Sequence, residues 1–379
     1  MMEMEKYKLG EICEIFAGGD APKNATIYKT KDNSVPIFSN GIENGGLYGF
    51  TSIAKIDKPS VTISARGTIG VPFLRKEPYF PIVRLLSVIP KEKIALHYLY
   101  YVMKLQRYKK DGSVQQQLTI PMLADITIQL PPLPEQQKIA AVLSSLDDKI
   151  ALNKKINTKL EAMSKRLYDY WFVQFDFPNE EGKPYKSSGG KMVWNEVLKR
   201  EIPEGWEAVQ IQSILDKHPS TKRYNTSEYL HEGKYPIVDQ DSSTFIAGYT
   251  NEDDELLRRF PAVLFGDHSM CVKFLNFEFC RGADGTQILY SNDDRIKPYY
   301  LYLVVKSLTI PNQGYSRHFK YLKELPVILP SLELAAKFQE IVKPIYEKKT
   351  KCDKQIEKLS RLRDRLLPLL MNGQVKVEG

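Results

Sequence analysis

Polar and basic side chains that could bind a nucleic acid stand in short turn segments beside predicted strands. Arginine can hold guanine through two parallel hydrogen bonds, asparagine and glutamine can hold adenine, and lysine can bind phosphate. The candidates in the first half of the chain are Asn40, Arg66, Arg75 and Gln116. The candidates in the second half are Lys222, Arg223, Asp239, Gln240, His268, Lys273, Arg317, His318 and Lys320. Each position alone is a weak indication, because a single exposed arginine or lysine is more often a solvated surface charge.

Motifs that would make the chain an enzyme are missing from the sequence. None of its three Gly-Lys pairs belongs to a nucleotide-binding P-loop. The Asn/Asp-Pro-Pro-aromatic loop of adenine methyltransferases is missing, and the five histidines show no zinc-hydrolase spacing. Nuclease-like Glu-x-Lys triplets begin at Glu181, Glu232 and Glu347, but such triplets arise by chance in a chain rich in both residues. We therefore expect a binding protein whose chemistry is supplied elsewhere.

Composition narrows the class of partner and the compartment. The 379 residues suggest two or three domains, and 42% hydrophobic residues can build their cores. The 54 Lys and Arg against 46 Asp and Glu give a net charge of +8, which mildly favours a polyanion. No apolar run approaches the roughly 18–20 residues that cross a bilayer, and Met1–Lys6 contains no apolar signal region. The four cysteines form no C-x-x-C pair, so we expect reduced thiols in the cytoplasm and no metal site.

The chain repeats itself at long period. The segment Leu96–Lys104 returns 202 residues later as Pro298–Lys306, with Tyr-Leu-Tyr at its centre. Three more pairs at nearly the same offset are Val35–Ile37 with Tyr235–Ile237, Val61–Gly67 with Ala262–His268, and Ile128–Leu133 with Val327–Leu332. Four matches in the same order predict two copies of one unit.

The first part of each copy has the pattern of an α+β domain. Short β-branched and aromatic runs bounded by Gly, Pro, Asn and Asp predict strands. These runs are Ser60–Ser64, Ile82–Ile89, Ala262–Gly266 and Gln287–Tyr290. Tyrosine-rich amphipathic patterns predict helices over His97–Tyr108 and Tyr299–Ser307.

Each copy ends in a long helix with a heptad spacing in which eight of ten positions are apolar. The first helix has this spacing at Ile139, Val142, Leu146, Lys149, Asn153, Ile156, Leu160, Met163, Leu167 and Tyr170. Adding 199 gives Phe338, Ile341, Ile345, Lys348, Cys352, Gln355, Leu359, Leu362, Leu366 and Leu369. Such long stripes predict a coiled coil in which the two helices pair, with Pro344 bending or delaying the second. The alternative is that each stripe packs on its own globular part.

The sequence resembles the specificity (S) subunits of type I restriction-modification systems over nearly its whole length. The matching stretches of the first copy are Val61–Gly70, Leu118–Ile126 and Leu130–Ile139. Those of the second copy are Val263–His268, Gly282–Thr286 and Tyr315–Lys320. The most specific is Pro-Leu-Pro-Glu-Gln-Gln-Lys-Ile at 132–139, where the first long helix opens.

The resemblance implies a domain organisation. Residues 1–132 and 175–330 would be two target-recognition domains in pseudo-twofold repeat, each reading one half of a bipartite, asymmetric DNA target. Residues 133–174 and 331–379 would be the spacer helices, an antiparallel coiled coil that sets the gap and docks two modification (methyltransferase) subunits. The helix residues expected to form the coiled coil or dock these partners are Glu135, Gln136, Ile139, Leu146, Ile156, Leu160, Leu167, Phe338, Ile345, Leu359, Leu362 and Leu366.

The resemblance also implies that other subunits perform the catalysis. S-adenosylmethionine, Mg and ATP would be bound by the modification and restriction subunits, so this chain would carry no cofactor. The complex would methylate adenine and cleave double-stranded DNA in the cytoplasm, away from any membrane. One departure concerns Leu334, Ala335 and Ala336, which replace Glu135–Gln137 of the first copy. If the polar residues contact a partner, the two docking surfaces are unequal.

Other functions stay open at this point. The chain could be the specificity component of a related fused restriction system, with a different effector. It could be a methyltransferase or nuclease with a degenerate site, against which the missing motifs count. It could also be a coiled-coil scaffold that binds two protein ligands. Binding that is indifferent to DNA sequence would favour the scaffold.

Overall fold

The structure, a computed structural model, describes residues 4–106, 108, 117–216, 221–253, 255–311 and 317–377. The chain forms two compact units. Unit 1 consists of Met1–Lys149 and Leu359–Gly379, and unit 2 of Ile150–Lys358. Among the described residues no helix is both long enough and apolar enough to span a bilayer.

The first half of the chain contains nine strands and four α-helices within the described residues. They are β1 (Glu5–Lys8), α1 (Leu9–Ile12), β2 (Cys13–Ala17), β3 (Val35–Phe38), β4 (Leu47–Thr51), β5 (Ser60–Ile63), β6 (Pro72–Arg75), β7 (Phe80–Pro81), β8 (Leu86–Pro90), α2 (Leu96–Leu105), α3 (Ile120–Ala124), β9 (Thr127–Leu130) and the long helix α4 (Leu133–Tyr168).

The second half repeats this order after an additional hairpin. Its described elements are β10 (Met192–Asn195), β11 (Arg200–Pro203), β12 (Glu207–Gln210), α5 (Ile211–Ile214), β13 (Tyr235–Val238), β14 (Gly248–Thr250), β15 (Ala262–Gly266), β16 (Val272–Leu275), β17 (Cys280–Arg281), β18 (Thr286–Leu289), α6 (Pro298–Ser307), α7 (Phe319–Glu324), β19 (Pro326–Leu329) and the long helix α8 (Leu332–Met371). The hairpin β10–β11 precedes β12, the strand that corresponds to β1.

The sheets of unit 1 bury β5 at their centre. A four-stranded sheet has the order β2-β8-β5-β6, and a three-stranded sheet has the order β4-β3-β7. All four residues of β5 are buried, as expected for a short β-branched run between two neighbours. The strand β3 pairs in parallel with β7, which places the loops that follow both strands at the same edge.

The two main sheets of unit 2 follow the plan of those in unit 1 with one strand fewer. Its sheets have the orders β16-β15-β18 and β14-β13-β17, and β13 again pairs in parallel with β17. A single bridge between Leu215 and Ser291 takes the place of the β2–β8 ladder. Helix α6 packs three buried tyrosines against the sheet and the long helices. Between ring centroids, Tyr299 lies 4.7 Å from Phe274 of β16 and Tyr302 lies 5.4 Å from Tyr346 of α8.

The long helices α4 and α8 contact each other within each unit. In unit 2 Asn153 Nδ2 donates to Gln355 Oε1 (3.2 Å), and Asn157 Nδ2 donates to Asp353 Oδ1 (2.6 Å). The partner number falls as the α4 number rises, so the pairing is antiparallel. In unit 1 Arg363 binds Asp147 at 2.8 Å. The predicted α+β class with an antiparallel helix pair is therefore confirmed.

The predicted heptad register is wrong at every second position. Of the predicted positions in α4, residues 139, 146, 153, 160 and 167 are buried or half-buried, as expected. The positions between them are each shifted by one residue, so that 143, 150, 157 and 164 are buried in place of 142, 149, 156 and 163. Asn157 and Ser164 are buried where Ile156 and Met163 were predicted to be. The sequence did not indicate that these polar residues are buried, because the hydrogen bonds that make their burial favourable form only on folding. Asn157 Nδ2 donates to Asp353, and Ser164 Oγ donates to the Leu160 carbonyl.

Two other details of the sequence prediction are corrected. The strand predicted over Ile82–Ile89 begins only at Leu86, because Val83 and Arg84 adopt positive φ in a turn closed by Leu85 N–H donating to the Ile82 carbonyl (3.0 Å). Pro344 does not delay α8, which begins at Leu332 and continues through Pro344 to Met371; the predicted bend stays a prediction.

Candidate nucleic-acid interface

Four loops of unit 1 converge at the ends of β3, β5 and β7 and before α3. The β3–β7 pairing brings the loops after these two strands together. The loop after β5 joins them through the Ala65 N–H, which donates to Asn40 Oδ1, and Leu118 N–H donates to the Ala65 carbonyl (2.9 Å), which adds the segment before α3. In unit 2 the matching bond runs from His318 N–H to the Asp267 carbonyl (2.9 Å). These bonds make Ala65 equivalent to Asp267, and therefore Arg66 equivalent to His268.

A single amide side chain holds the loops of unit 1 together. Asn40 Oδ1 accepts from Ala65 N–H at 2.7 Å, and Asn40 Nδ2 donates to the Val83 carbonyl at 2.6 Å. The residue predicted as an adenine contact thus uses both ends of its amide inside the protein. We call this arrangement the amide clamp.

Unit 2 contains the same amide clamp, built from Gln240, 200 residues after Asn40. Gln240 Oε1 accepts from the N–H groups of His268 (3.0 Å) and Ser269 (3.3 Å), while Nε2 donates to the Asp284 carbonyl (2.8 Å). Ser269 Oγ donates in turn to the Gln240 carbonyl (2.7 Å). Glutamine is one methylene longer than asparagine, and both of its contacts fall one residue farther along the loops.

In each unit we call the surface formed by these converging loops the loop face. On the loop face of unit 1, two exposed arginines share one neutral acceptor. Gln117 Oε1 accepts from Arg66 at 2.8 Å and 3.1 Å and from Arg84 at 3.4 Å. Within the ranges that the structure describes, neither arginine forms an ion pair. Both guanidinium groups therefore keep their charge and most of their N–H donors available for an anionic or base ligand.

Unit 2 instead places a carboxylate between two arginines. Asp284 Oδ1 accepts from Arg223 NH1 (2.7 Å), and Asp284 Oδ2 accepts from Arg317 NH2 (3.4 Å). The backbone N–H of Gly285, with Arg317 and Arg223, lowers the pKa of Asp284. His268 and Lys320 are also exposed, and the Lys320 ammonium stands 4.6 Å from the Tyr321 ring centroid.

Arg75 is buried, so the structure gives it a different role from the predicted DNA contact. It is 9% exposed; Nε donates to Thr62 Oγ1 (3.0 Å) and NH2 to the Gly45 carbonyl (2.6 Å). Its guanidinium lies 3.5 Å from the Phe38 ring centroid, and burial lowers the pKa of Arg75 to about 10. Arg75 holds the β3–β4 turn against β5 and β6.

Three candidates of unit 2 are likewise buried and serve as internal connections. Lys273 Nζ donates to the Thr244 carbonyl (2.7 Å), and burial lowers the pKa of Lys273. Asp239 accepts from Tyr229 Oη (3.1 Å) and from the Asp241 N–H (2.9 Å). His318 is buried with Nδ1 3.0 Å from the Asp267 carbonyl. Their polar groups bond to other parts of the protein, and a turn-residue pattern in the sequence cannot distinguish this role from surface recognition.

The remaining candidates of the loop face are placed as follows. Lys222 Nζ binds Glu228 (2.9 Å) and lies 4.3 Å from the Tyr224 ring centroid, so acidic neighbours already compensate its charge. Gln116 lies outside the described residues. Arg84 and Asp284 were not among the candidates, although their offset of 200 residues, the same as that of Asn40 and Gln240, was a usable signal.

The helix residues predicted to form the coiled coil or dock partners differ in exposure. Gln136, Ile139, Leu146 and Phe338 are buried, and Leu362 is exposed. Half-buried are Glu135, Ile156, Leu160, Leu167, Ile345, Leu359 and Leu366. The prediction that Gln136 docks a partner is corrected. Its amide binds Ala95 N–H (2.9 Å) and the carbonyls of Lys93 (3.0 Å) and Pro131 (2.9 Å), so it ties the start of α4 to the rest of unit 1.

Comparison with known proteins gives one consistent family. A sequence model of the type I restriction modification DNA specificity domain matches residues 1–162 and 203–359. The chain is 28% identical over 356 residues to the type I restriction enzyme MjaIX specificity subunit of Methanocaldococcus jannaschii, covering 86% of this chain and 80% of that one. It is 34% identical over 171 residues to a type I specificity subunit of Mycoplasma pneumoniae, covering 45% and 51%.

A solved structure has the same fold. The crystal structure of the S subunit of a type I restriction-modification system from M. genitalium superimposes with a TM-score of 0.62 at 19% identity, covering 97% of this chain and 96% of that one.

The amide clamp predicts a local effect of Gln240→Ala. Removing the side chain leaves the His268 and Ser269 N–H groups without their acceptor, at a cost of about 1–2 kcal/mol for opening this loop. We expect hydrogen exchange at the two amides to accelerate roughly tenfold, measured by NMR or mass spectrometry. Gln212→Ala, at an exposed glutamine of α5, should leave their exchange unchanged. Equal rates in wild type and Gln240→Ala would contradict the clamp.

Proposed function

Because this chain belongs to the family of type I restriction-modification DNA specificity proteins, we propose that it reads a bipartite DNA target, one half with each unit. The observation that carries the proposal is the repeated loop face. Each unit uses the same amide clamp to hold the same loops, yet the exposed groups differ, with Arg66 and Arg84 in unit 1 against His268 and Asp284 in unit 2. Different hydrogen-bonding groups at equivalent positions favour an asymmetric target.

Affinity is expected to come largely from phosphate contacts. The exposed cations beside the loops, including Arg66, Arg223, Arg317 and Lys320, can replace counterions of the DNA backbone. Binding should therefore weaken steeply as salt rises. Base contacts made by the same loops would supply the specificity.

We expect this chain to contribute recognition and other subunits to contribute catalysis. The curated relatives are named specificity subunits, and the sequence lacks P-loop and amino-methyltransferase motifs. In this proposal S-adenosylmethionine is bound by modification subunits, and ATP and Mg by restriction subunits. The assembled complex would act in the cytoplasm.

The proposed docking site for a modification subunit is a second apolar stripe on the long helices. In unit 2 Met163 is 52% exposed and Ile341 46% exposed, and with Leu167 and Ile345 they line an open groove of about 600 Å³. Exposed apolar residues clustered in this way favour a protein partner.

Unit 1 carries the same stripe 199 residues away in sequence. Leu362 corresponds to Met163 and is 42% exposed, while Val142 and Leu366, which correspond to Ile341 and Leu167, are half-buried. One stripe in each unit supports two docked modification subunits per chain. Because Gln136 is occupied inside unit 1, its replacement by Ala335 in unit 2 does not by itself make the docking surfaces unequal.

Docking on the stripes can be tested by adding a charge to each. Met163→Glu and Leu362→Glu should each reduce the complex from two modification subunits to one, and the double variant should bind none, because a carboxylate would be desolvated in the interface. Native mass spectrometry of the co-expressed complex measures this ratio. Lys154→Glu, at an exposed position on α4, is the matched control and should keep two. Two subunits on the double variant would rule out these surfaces.

The long helices are also proposed to set the gap between the half-sites. Seven residues inserted in α4 between Asp147 and Asn153, and seven in α8 between Gln355 and Arg363, preserve the heptad phase and add about 10 Å. We expect the unspecified gap to lengthen by about three base pairs while both half-sites keep their bases. Seven Gly and Ser residues inserted at Gly189 should leave the gap as it was. An unchanged gap after the helix insertions would refute the spacer role.

The function itself is tested by sequencing methylated DNA. A host free of adenine methylation would express this chain with the modification subunit encoded beside it, and the control host would express the modification subunit alone. We expect a new methylated-adenine motif in two unequal halves that depends on this chain. A palindromic motif would contradict asymmetric reading, and a soluble, co-purifying pair that leaves the DNA unmethylated would count against recognition. Failure to co-purify would favour a scaffold for other proteins.

A further inference from the structure

The loop between β7 and β8 and the loop between β17 and β18 carry opposite charges at one equivalent position. Ile82 N–H donates to the Phe38 carbonyl and Gly282 N–H to the Val238 carbonyl, both at 2.9 Å, which aligns the two loops. Two residues farther along stand Arg84 and Asp284. The alignment therefore rests on backbone hydrogen bonds as well as on sequence offset.

The exchange of charge is part of a wider exchange of donors and acceptors. In unit 1 the donor Arg84 faces the acceptor Gln117, at 3.4 Å. In unit 2 the acceptor Asp284 faces the donor Arg317, also at 3.4 Å, and Arg317 is the residue 200 positions after Gln117. Each unit thus keeps a hydrogen bond between the same two loops while reversing which loop donates.

These contacts are weak enough to be exchanged for contacts with DNA. The side chains of Asp284 and Arg317 are 65% and 66% exposed, and exposed ion pairs contribute little to stability because water and salt screen them. A DNA phosphate competes well for Arg223 and Arg317, and their departure would leave the Asp284 carboxylate without its cations. A carboxylate beside a phosphate backbone is repelled unless a base donates to it.

The bases that could satisfy each residue follow from donor and acceptor chemistry. Arginine only donates, and guanine presents two acceptors, O6 and N7, in the major groove. With its pKa lowered, Asp284 is ionised at neutral pH and only accepts. The base groups that donate in the major groove are the exocyclic amines, N4 of cytosine and N6 of adenine.

We propose that positions 84 and 284 make the two half-sites different, with Arg84 binding guanine in one and Asp284 accepting from the exocyclic amine of cytosine or adenine in the other. This inference rests on the proposed DNA-reading function and adds the residues and the base chemistry. Arg223 and Arg317 then serve as phosphate contacts that Asp284 holds in place before DNA binds.

The test compares methylated motifs made by complexes of the full chain carrying single substitutions. Asp284→Ala should relax one base pair in one half-site, reducing discrimination there from about tenfold or more to less than twofold. Asp284→Arg should select guanine at that same base pair. The identity of the relaxed pair, G·C or A·T, tells whether cytosine or adenine supplies the amine. Arg84→Asp should alter a guanine in the other half-site only.

Controls separate base reading from general loss of binding. Asp294→Arg, at a 95% exposed carboxylate between β18 and α6, makes the same charge change and should leave the motif intact. Arg223→Ala and Arg317→Ala should lower methylation uniformly at all targets without changing the preferred bases.

The possible failures are distinguishable. A wild-type complex that makes no chain-dependent motif overturns the proposed function. A wild-type motif that persists with undiminished discrimination in both Asp284→Ala and Asp284→Arg overturns this inference alone. Relaxation of both half-sites by a single substitution would overturn it as well, because a residue that reads one base pair cannot alter the other half.

Discussion

The loop face of each unit depends on one side-chain amide that pairs backbone groups which the strands leave without partners. Loops at the end of a sheet cannot continue the ladder, and unpaired backbone groups that lose contact with water cost free energy. Asn40 and Gln240 solve this with one donor and one acceptor each, bridging two loops at a time. The amide matches the need because it carries a neutral donor and a neutral acceptor on the same rigid plane.

The second constraint is the pairing of the long helices, which uses polar contacts as well as apolar ones. Asn157 is buried beside Asp353, itself bound by Lys349 at 3.1 Å, and burial raises the pKa of Asp353. Buried polar groups of this kind stabilise an interface only when they meet their partners, so they penalise a shifted register more than leucine would. The apolar residues that the coiled coil does not cover remain as the outward stripes that include Met163 and Leu362.

The sequence contained enough information to predict the repeat, the α+β class and the long helices, because all three depend on local pattern. The register failed where it depended on a contact almost 200 residues away, as at Asn157. The prediction of the DNA-contact residues failed for a related reason. Arg75 and Lys273 have the residue types of DNA contacts, and only the fold places an aromatic ring at Phe38 and a carbonyl at Thr244 against their charges. Arg84 was missed because its segment has the apolar composition of a strand, and its positive φ is a tertiary effect.

Carrying both units in one chain removes the restriction that a homodimer would impose. Identical subunits would present identical loop faces, and a change at position 84 would appear in both. Here the loop face diverges at Arg84 and Asp284 while the amide clamp beneath it is kept. The outward helix stripes stay apolar in both units, as Met163 and Leu362 illustrate. The loop faces, proposed to read two different half-sites, have diverged from each other. The helix stripes, proposed to bind two copies of one partner, have stayed similar. This is the pattern expected when each surface is shaped by its own ligand.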